Sequence, residues 1–158
     1  MKKIKLILIG FILVSISFAI FAYVKQKNNN DVQIRLADYK FRESLSLASN
    51  GFAVDYSKMN DDTKVYYYIQ TSSNLYTAIN IIDMTSYKDV KNRNALGEAI
   101  YNLYLCMTHD YSRKEILKDN NMSSIFNCLA KISNDPEDEE DCKRISRLAG
   151  DLYFNNNK

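Results

Sequence analysis

Turn-forming residues are scarce in this chain of 158 residues, which contains four glycines and one proline. A β-sandwich or β-barrel reverses direction at short, regular intervals and needs such residues at each reversal. The shortage therefore argues against an all-β fold. Apolar side chains recur instead at three- and four-residue spacing, so we predict an all-α fold.

The sequence also lacks the motifs that carry enzymatic chemistry. It has a single histidine, His109, and contains no Gly-rich phosphate loop, no Gly-x-Ser-x-Gly elbow and no His-Glu-x-x-His pair. A Cys-His pairing with Cys106 or Cys128 would use thiols on apolar helix faces, where a buried thiol is unreactive. We therefore expect no catalytic residue, no cofactor and no small-molecule ligand, and we predict that the protein is not an enzyme.

A metal centre is not predicted either. Cys106, His109, Cys128 and Cys142 add up to the Cys₃His set that structural zinc accepts. Such sites usually hold their ligands in close pairs on tight turns, whereas Cys128 and Cys142 stand alone. The acidic run over residues 135–141 lacks the alternating aspartates and central glycine of a calcium-binding loop.

Basic residues are not in excess outside the amino-terminal segment. Five of the 21 lysines and arginines lie within residues 1–27, which leaves 16 against 19 acidic residues and a net charge of −3 for the rest of the chain. A nucleic-acid-binding domain needs a concentrated basic face. We therefore predict no nucleic-acid partner.

The one long apolar run covers residues 6–24, nineteen positions without a charge. A helix of about 20 apolar residues spans the ~30 Å hydrocarbon core of a bilayer. We therefore predict that residues 1–27 are a basic n-region and a transmembrane signal anchor, and that the membrane is a partner through residues 6–24. The alternative is cleavage after Ala19 or Ala22, neither of which is a strong site, and this would give a secreted or periplasmic protein.

The lysines that precede this run also predict its orientation. A short basic n-region ahead of the first apolar segment is typical of bacterial export signals, and the basic flank tends to stay in the cytoplasm. We expect a single-pass membrane protein of a bacterial envelope whose carboxy-terminal domain is extracytoplasmic.

The rest of the chain has the size of one domain. Two asparagine triplets mark residues 28–31 as a linker and residues 155–158 as a disordered tail, with a helical domain over residues 32–154 between them. The apolar spacing predicts an irregular bundle of five to six helices. Its core should contain the residues that share one face of each helix, namely Ile79, Ile82, Leu96, Ile100, Leu103, Ile125, Leu129, Ile132, Ile145 and Leu148.

Several helix boundaries follow from capping chemistry. Gly51 is expected to end the first helix of the domain. After a loop over residues 52–60, Asp61, Asp62 and Thr63 are expected to supply the cap and the first turn of the second helix. The capping box 112–115 should open a short fourth helix. Asp135 is expected to cap the last helix, with Pro136 at its first position.

Tyrosine is the residue in excess, with twelve in the chain. Consecutive helix positions point about 100° apart, so the triplet 66–68 cannot lie wholly in the core. Tyrosine is enriched in protein interfaces, which makes Tyr66 and Tyr67 candidates for an interaction surface. The alternative is that these rings only flank the core and keep their hydroxyls in water.

Cys128 and Cys142 are candidates for a disulfide. They stand seven positions before and seven after Asp135, and an antiparallel helical hairpin about that residue would bring them together. The bond would form in an oxidising compartment and leave Cys106 as a buried thiol. Where thiols stay reduced, all three cysteines would remain small hydrophobic residues.

Two functions are compatible with this organisation. The first is a membrane-anchored protein-interaction module that binds an unknown envelope protein through a helical face. The second is an exported inhibitor or immunity-type protein that blocks a toxin or hydrolase in the envelope.

The anchor hypothesis predicts that the full-length protein fractionates with membranes, because residues 6–24 are long enough to span a bilayer as one helix. Amino-terminal sequencing of the membrane-extracted protein should find an uncleaved chain. A chain that begins at Ile20 or Tyr23 would contradict the anchor and support the exported form.

Overall fold

The computed structural model describes residues 2–109 and 122–154, and the elements in these ranges are all helical, without a strand. The prediction of an all-α fold is confirmed. The described ranges contain five α-helices, in the order α1 (Lys2–Ala53), α2 (Asp61–Ile81), α3 (Arg93–Thr108), α4 (Ser123–Asn134) and α5 (Glu139–Phe154). Three short 3₁₀ segments, Tyr56–Lys58, Ile82–Met84 and Ser86–Asp89, connect α1 to α2 and α2 to α3. The chain divides into two compact units, Met1–Leu36 and Ala37–Lys158.

The first unit is the amino-terminal part of α1. By length and composition α1 could cross a membrane, a property that it shares with signal sequences. Its large apolar side chains between residues 11 and 24 are exposed. The hydroxyls of Ser15 and Ser17 donate to the carbonyls of Phe11 and Leu13, both at 2.9 Å, so each finds an acceptor on its own helix.

Residues 28–31, predicted as a linker, are helical and lie within α1. The asparagines there do not interrupt the helix, since asparagine has only a moderately low helix propensity and no glycine or proline accompanies it. The predicted tail at 155–158 and the capping box at 112–115 lie outside the described residues.

In the second unit, α3 packs against α2 and α5, and α4 packs against α5. The apolar faces of these helices meet in one core, which also contains Phe41, Leu45, Ala48 and Phe52 from α1. Eight of the ten predicted core residues are buried. Ile79 and Leu148 are only partly buried, because the buried line of α2 runs through Leu75, Ala78 and Ile82 and leaves Ile79 at its edge, and Leu148 likewise flanks the buried line of α5.

Polar contacts also tie α1 to later parts of this unit. The Asp38 carboxylate accepts from the backbone amide of Ser86 at 2.7 Å and from its hydroxyl at 2.9 Å. One turn further along α1, the Arg42 Nε donates to the carbonyl of Ser133 at 2.9 Å. These contacts link α1 to the α2–α3 connection and to the end of α4.

Gly51 does not end α1, which continues to Ala53. Neither it nor any other described glycine has a positive φ, so no left-handed cap is formed there. Its role is close packing: a Cβ on Gly51 would overlap Oγ1 of Thr71 on α2 and lie 2.9 Å from the Cβ of that threonine. Only glycine lets α1 and α2 approach this closely.

Two predicted caps are displaced by one and three residues. The Asn60 side chain, not Asp61, accepts from the backbone amide of Thr63 at 2.8 Å and caps α2, while Asp61 lies in its first turn. At the other hairpin, the Asp138 side chain accepts from the amide of Asp141 at 3.0 Å as α5 begins at Glu139. Asp135 and Pro136 belong instead to a tight turn, closed by a 3.2 Å bond from the amide of Asp138 to the carbonyl of Asp135.

The contact between Gly51 and Thr71 predicts a specific pattern of stabilities. Gly51→Ala should lower the free energy of unfolding by about 1–3 kcal/mol, because the added methyl overlaps Thr71. In a Thr71→Gly background the same change should cost far less, since the overlapping atoms are gone. Urea unfolding followed by circular dichroism measures all four corners of this cycle.

Gly97→Ala is the matched control, since Gly97 also lies inside a helix but its added Cβ would meet only the movable guanidinium of Arg93. This control should be neutral or slightly stabilising. Equal effects of the alanine substitutions at 51 and 97 would show that close approach of the helices is not what requires Gly51.

Candidate interaction surface

Helix α2 has two faces with the same spacing of residues. One face is buried and carries Thr71, Leu75, Ala78 and Ile82, the last just beyond the end of the helix. The other face is exposed, and its residues alternate in steps of three and four, which is the spacing of a coiled-coil seam. We call this exposed row the α2 seam, and it consists of Tyr66, Ile69, Ser73, Tyr76 and Asn80.

Large side chains in this seam are well exposed. Tyr66, Ile69 and Tyr76 have 61%, 53% and 55% of their surface accessible to solvent. Val65 lies beside Tyr66 and is also exposed. Scattered single apolar residues are ordinary on a protein surface, but here three large side chains follow one line along the helix, with the small Ser73 between Ile69 and Tyr76.

The seam lies on a helix that carries almost no charge. From Val65 to Ile82 there are eighteen consecutive residues without an acidic or basic side chain. Surface helices normally place charged residues on the solvent side. Depletion of charge together with enrichment in aromatic residues is the composition found at the centre of protein interfaces.

The structure separates the two tyrosines that the sequence nominates together. Tyr66 belongs to the seam, whereas Tyr67 is partly buried and packs against the core. Their rings meet edge to face, with centroids 5.5 Å apart, so Tyr67 supports Tyr66 from the side. Tyr66 is therefore the exposed member of the pair, and Tyr67 contacts it from the side of the core.

Two tyrosines on α3 extend the aromatic surface. The rings of Tyr76 and Tyr104 are 5.7 Å apart, and Tyr101 is half exposed one turn before Tyr104 on the same helix. The Tyr76–Tyr104 contact connects the seam to α3. The surface is thus wider than one row of side chains at this end of α2.

Beneath the amino-terminal half of α2 lies a buried tyrosine, Tyr56. Burial raises the pKa of Tyr56 to about 12, and the Thr71 side chain opposes this rise. The Tyr56 hydroxyl has no hydrogen bond of good geometry, while the Thr71 hydroxyl donates to the carbonyl of Tyr67 at 2.8 Å. Tyr56 therefore stays protonated and acts as a packing residue of the core.

The three cysteines are all buried free thiols, so the structure differs from the predicted disulfide between Cys128 and Cys142. The hairpin on which the pairing depends is present, because α4 packs against α5. Cys128 instead interacts with the side chain of Asp141, the residue before Cys142. Burial, then the hydrogen bond and charge of Asp141, raise the pKa of Cys128. Oxidation of the pair in the envelope stays a prediction.

Neither the remaining cysteine nor the histidine forms a site with the others. The Cys106 thiol donates to the carbonyl of Ala149 at 3.0 Å and is fully buried. His109 lies exposed at the end of α3. Within the described ranges, no group of three His, Cys, Asp or Glu side chains is arranged to hold a metal ion.

A shallow groove of about 460 Å³ lies between α4 and α5. The side chains that line it are Ser124, Asn127, Ala130, Lys131, Asn134 and Arg144. Lys131 Nζ is 3.1 Å from Oδ2 of the buried Asp141, and pairing with this carboxylate, by hydrogen bonding and then by charge, raises the pKa of Lys131. The lining contains no carboxylate, thiol or imidazole, so the groove offers charge and amide groups without a general base.

Comparison with known proteins assigns no family to this chain. No protein-family model matches it, and no match is found among curated proteins or solved structures.

Sequence reasoning missed four of the five seam residues, namely Ile69, Ser73, Tyr76 and Asn80. Two signals in the sequence identify them. The first is the run of eighteen uncharged residues. The second is that the seam residues recur at steps of three and four on a face different from that of the buried line through Leu75. A surface helix needs only one apolar face to pack against the core of its domain, so large apolar side chains on a second face are unusual.

Burial of the thiols predicts their reactivity. In the reduced native protein, alkylation at about pH 8 should be slow at all three cysteines, because burial raises the pKa of Cys106 and Cys142 to about 12 and shields the sulfurs. Mass spectrometry after iodoacetamide treatment measures this, with Ser46→Cys as an exposed control. Rapid labelling of a native cysteine would contradict the buried arrangement.

The same measurement tests the disulfide. Protein extracted from the envelope without reductant and then unfolded should expose one thiol if Cys128 and Cys142 are joined, and three if they are not. Peptide mapping without reductant identifies the linked pair.

Proposed function

We propose that this protein is a membrane-anchored interaction module that binds another envelope protein through the α2 seam. The observation that carries the proposal is the exposed, charge-free row of Tyr66, Ile69 and Tyr76 on α2. Such a row is more typical of an interface centre than of a solvated surface. Residues 6–24 anchor the chain in the membrane, and the carboxy-terminal domain lies outside the cytoplasm.

The anchor part of the proposal is supported by the chemistry of α1. The exposed side chains between residues 11 and 24 are aliphatic or aromatic, and the two serines among them satisfy their hydroxyls on the helix itself. A helix in a bilayer has no water to satisfy polar groups, so this arrangement suits the hydrocarbon core.

The seam also defines the chemistry of its partner. Burial of an isoleucine or a large aromatic ring contributes about 1.5–3 kcal/mol, so a few seam residues can supply the hot spot of an interface. A charged group placed against Ile69 would lose its hydration without gaining a counter-charge. The partner surface should therefore be uncharged and should offer hydrogen-bond partners for tyrosine hydroxyls.

A photo-reactive amino acid tests the proposal in the membranes of the producing cell. Full-length protein with a benzoylphenylalanine at position 69 or at position 76 should form the same crosslinked product, because both positions lie on the seam. The matched control carries the residue at Asp151, an exposed position on α5. Equal crosslinking from position 151, or none from positions 69 and 76, would contradict the proposal.

The identity of the crosslinked protein also separates the two functions considered for this chain. An inhibitor or immunity-type protein would be crosslinked to a toxin or hydrolase. An interaction module would be crosslinked to a protein without such activity.

A further inference from the structure

We propose that the occupant of the α2 seam is a second copy of this chain, with the two α2 helices packed antiparallel about a two-fold axis at Ser73. The inference rests on the proposed function and names its partner. The three-four spacing from Tyr66 to Asn80 is the spacing with which two helices pack side by side. Ser73 lies at the centre of the row, where a small side chain lets two helices come close.

The seam is complementary to itself in this arrangement. An axis at Ser73 places Tyr66 opposite Asn80 of the second copy, and it places Ile69 within one residue of Tyr76 of the second copy. Each larger ring thereby meets a smaller side chain, and Ser73 meets Ser73 of the second copy. A two-fold interface requires such a match, because both subunits contribute the same patch.

The polar atoms of the seam also find partners. Asn80 Nδ2 already donates to the carbonyl of Tyr76 at 2.7 Å, which leaves its Oδ1 as an acceptor. The hydroxyl of Tyr66 from the second copy lies opposite and can donate to that oxygen. Burial of the pair then leaves neither group without a hydrogen bond, which is the condition for burying polar groups at low cost.

The charges that bound the seam favour the antiparallel direction. Asp62 precedes Tyr66 by four residues and would face Asp62 of the second copy in a parallel pair. In the antiparallel pair it lies near Met84 of the second copy, an exposed apolar residue. The neighbouring Asp83 is compensated by Arg93, whose guanidinium lies 2.8 Å from its carboxylate.

A second copy matches the charge character of the seam better than an arbitrary partner surface. Most protein surfaces carry charges that the uncharged seam cannot pair, whereas a second copy presents the same uncharged seam. Anchoring in one membrane also raises the effective concentration of copies. Both effects favour association of the chain with itself.

Cysteine crosslinking of full-length protein in membranes tests this geometry. Ser73→Cys should form a disulfide-linked dimer under mild oxidation, because the two-fold axis brings the two Cα atoms at position 73 within the roughly 7 Å that a disulfide needs. Ser46→Cys is the matched control, since Ser46 is an exposed serine on α1 and is not a seam residue. The unsubstituted chain provides the baseline, because its three cysteines are buried.

Adding Ile69→Asp to Ser73→Cys should reduce the dimer fraction about tenfold or more, a factor that corresponds to about 1.4 kcal/mol of binding free energy. Ile69 is half exposed, so the monomer should keep its helical circular dichroism. Equal dimer from positions 46 and 73, or dimer at position 73 that is insensitive to Ile69→Asp, overturns the inference.

The outcome also separates this inference from the proposed function. If position 73 gives no dimer while positions 69 and 76 crosslink to a different protein, the second copy is excluded and the interaction module stands. If position 73 gives no dimer and positions 69 and 76 crosslink to nothing, both proposals fail.

Discussion

The close contact between Gly51 and Thr71 is the constraint that determines which face of α2 is buried and which face is exposed. With no side chain on Gly51, α1 can lie directly against the Thr71 face of α2, where an alanine methyl would overlap the threonine. That contact, together with Leu75 and Ala78 further along the same face, commits one side of α2 to the core. The opposite side is thereby presented to solvent, and that side carries the seam.

The two faces of α2 explain why the helix has so few charges. A helix that packs on one side and is solvated on the other ordinarily carries charged residues on its wet side. Here the wet side holds Ile69 and Tyr76 instead, and the first charge after Lys64 is Asp83. The solvent-facing side of α2 thus lacks the charged residues that solubility alone would favour. Surfaces with few charges and exposed apolar side chains are common at protein interfaces.

The sequence was sufficient for the class of fold, since three-four spacing is a local property of each helix. It misassigned Gly51, because a glycine near the end of an apolar stripe is a common helix terminator. What requires glycine at this position is Thr71, which lies 20 positions later in the sequence and on another helix. It also placed the last cap at Asp135, where a tight turn and a helix start share the same residue preferences. The seam was missed because the buried residues of α2 already show a three-four spacing. A second set of residues with the same spacing on another face of the helix is therefore easily overlooked.

The apolar surfaces of α1 and α2 differ in the partner that each can accept. Between residues 11 and 24 the exposed side chains are nearly all hydrocarbon, and the hydroxyls of Ser15 and Ser17 are satisfied within the helix. The seam instead contains tyrosines and an asparagine in addition to Ile69. The exposed polar atoms of these residues would lack hydrogen-bond partners in lipid hydrocarbon. The chemistry of the first surface is therefore compatible with lipid, whereas the chemistry of the second resembles that of protein interfaces, which combine apolar area with hydrogen-bonding groups.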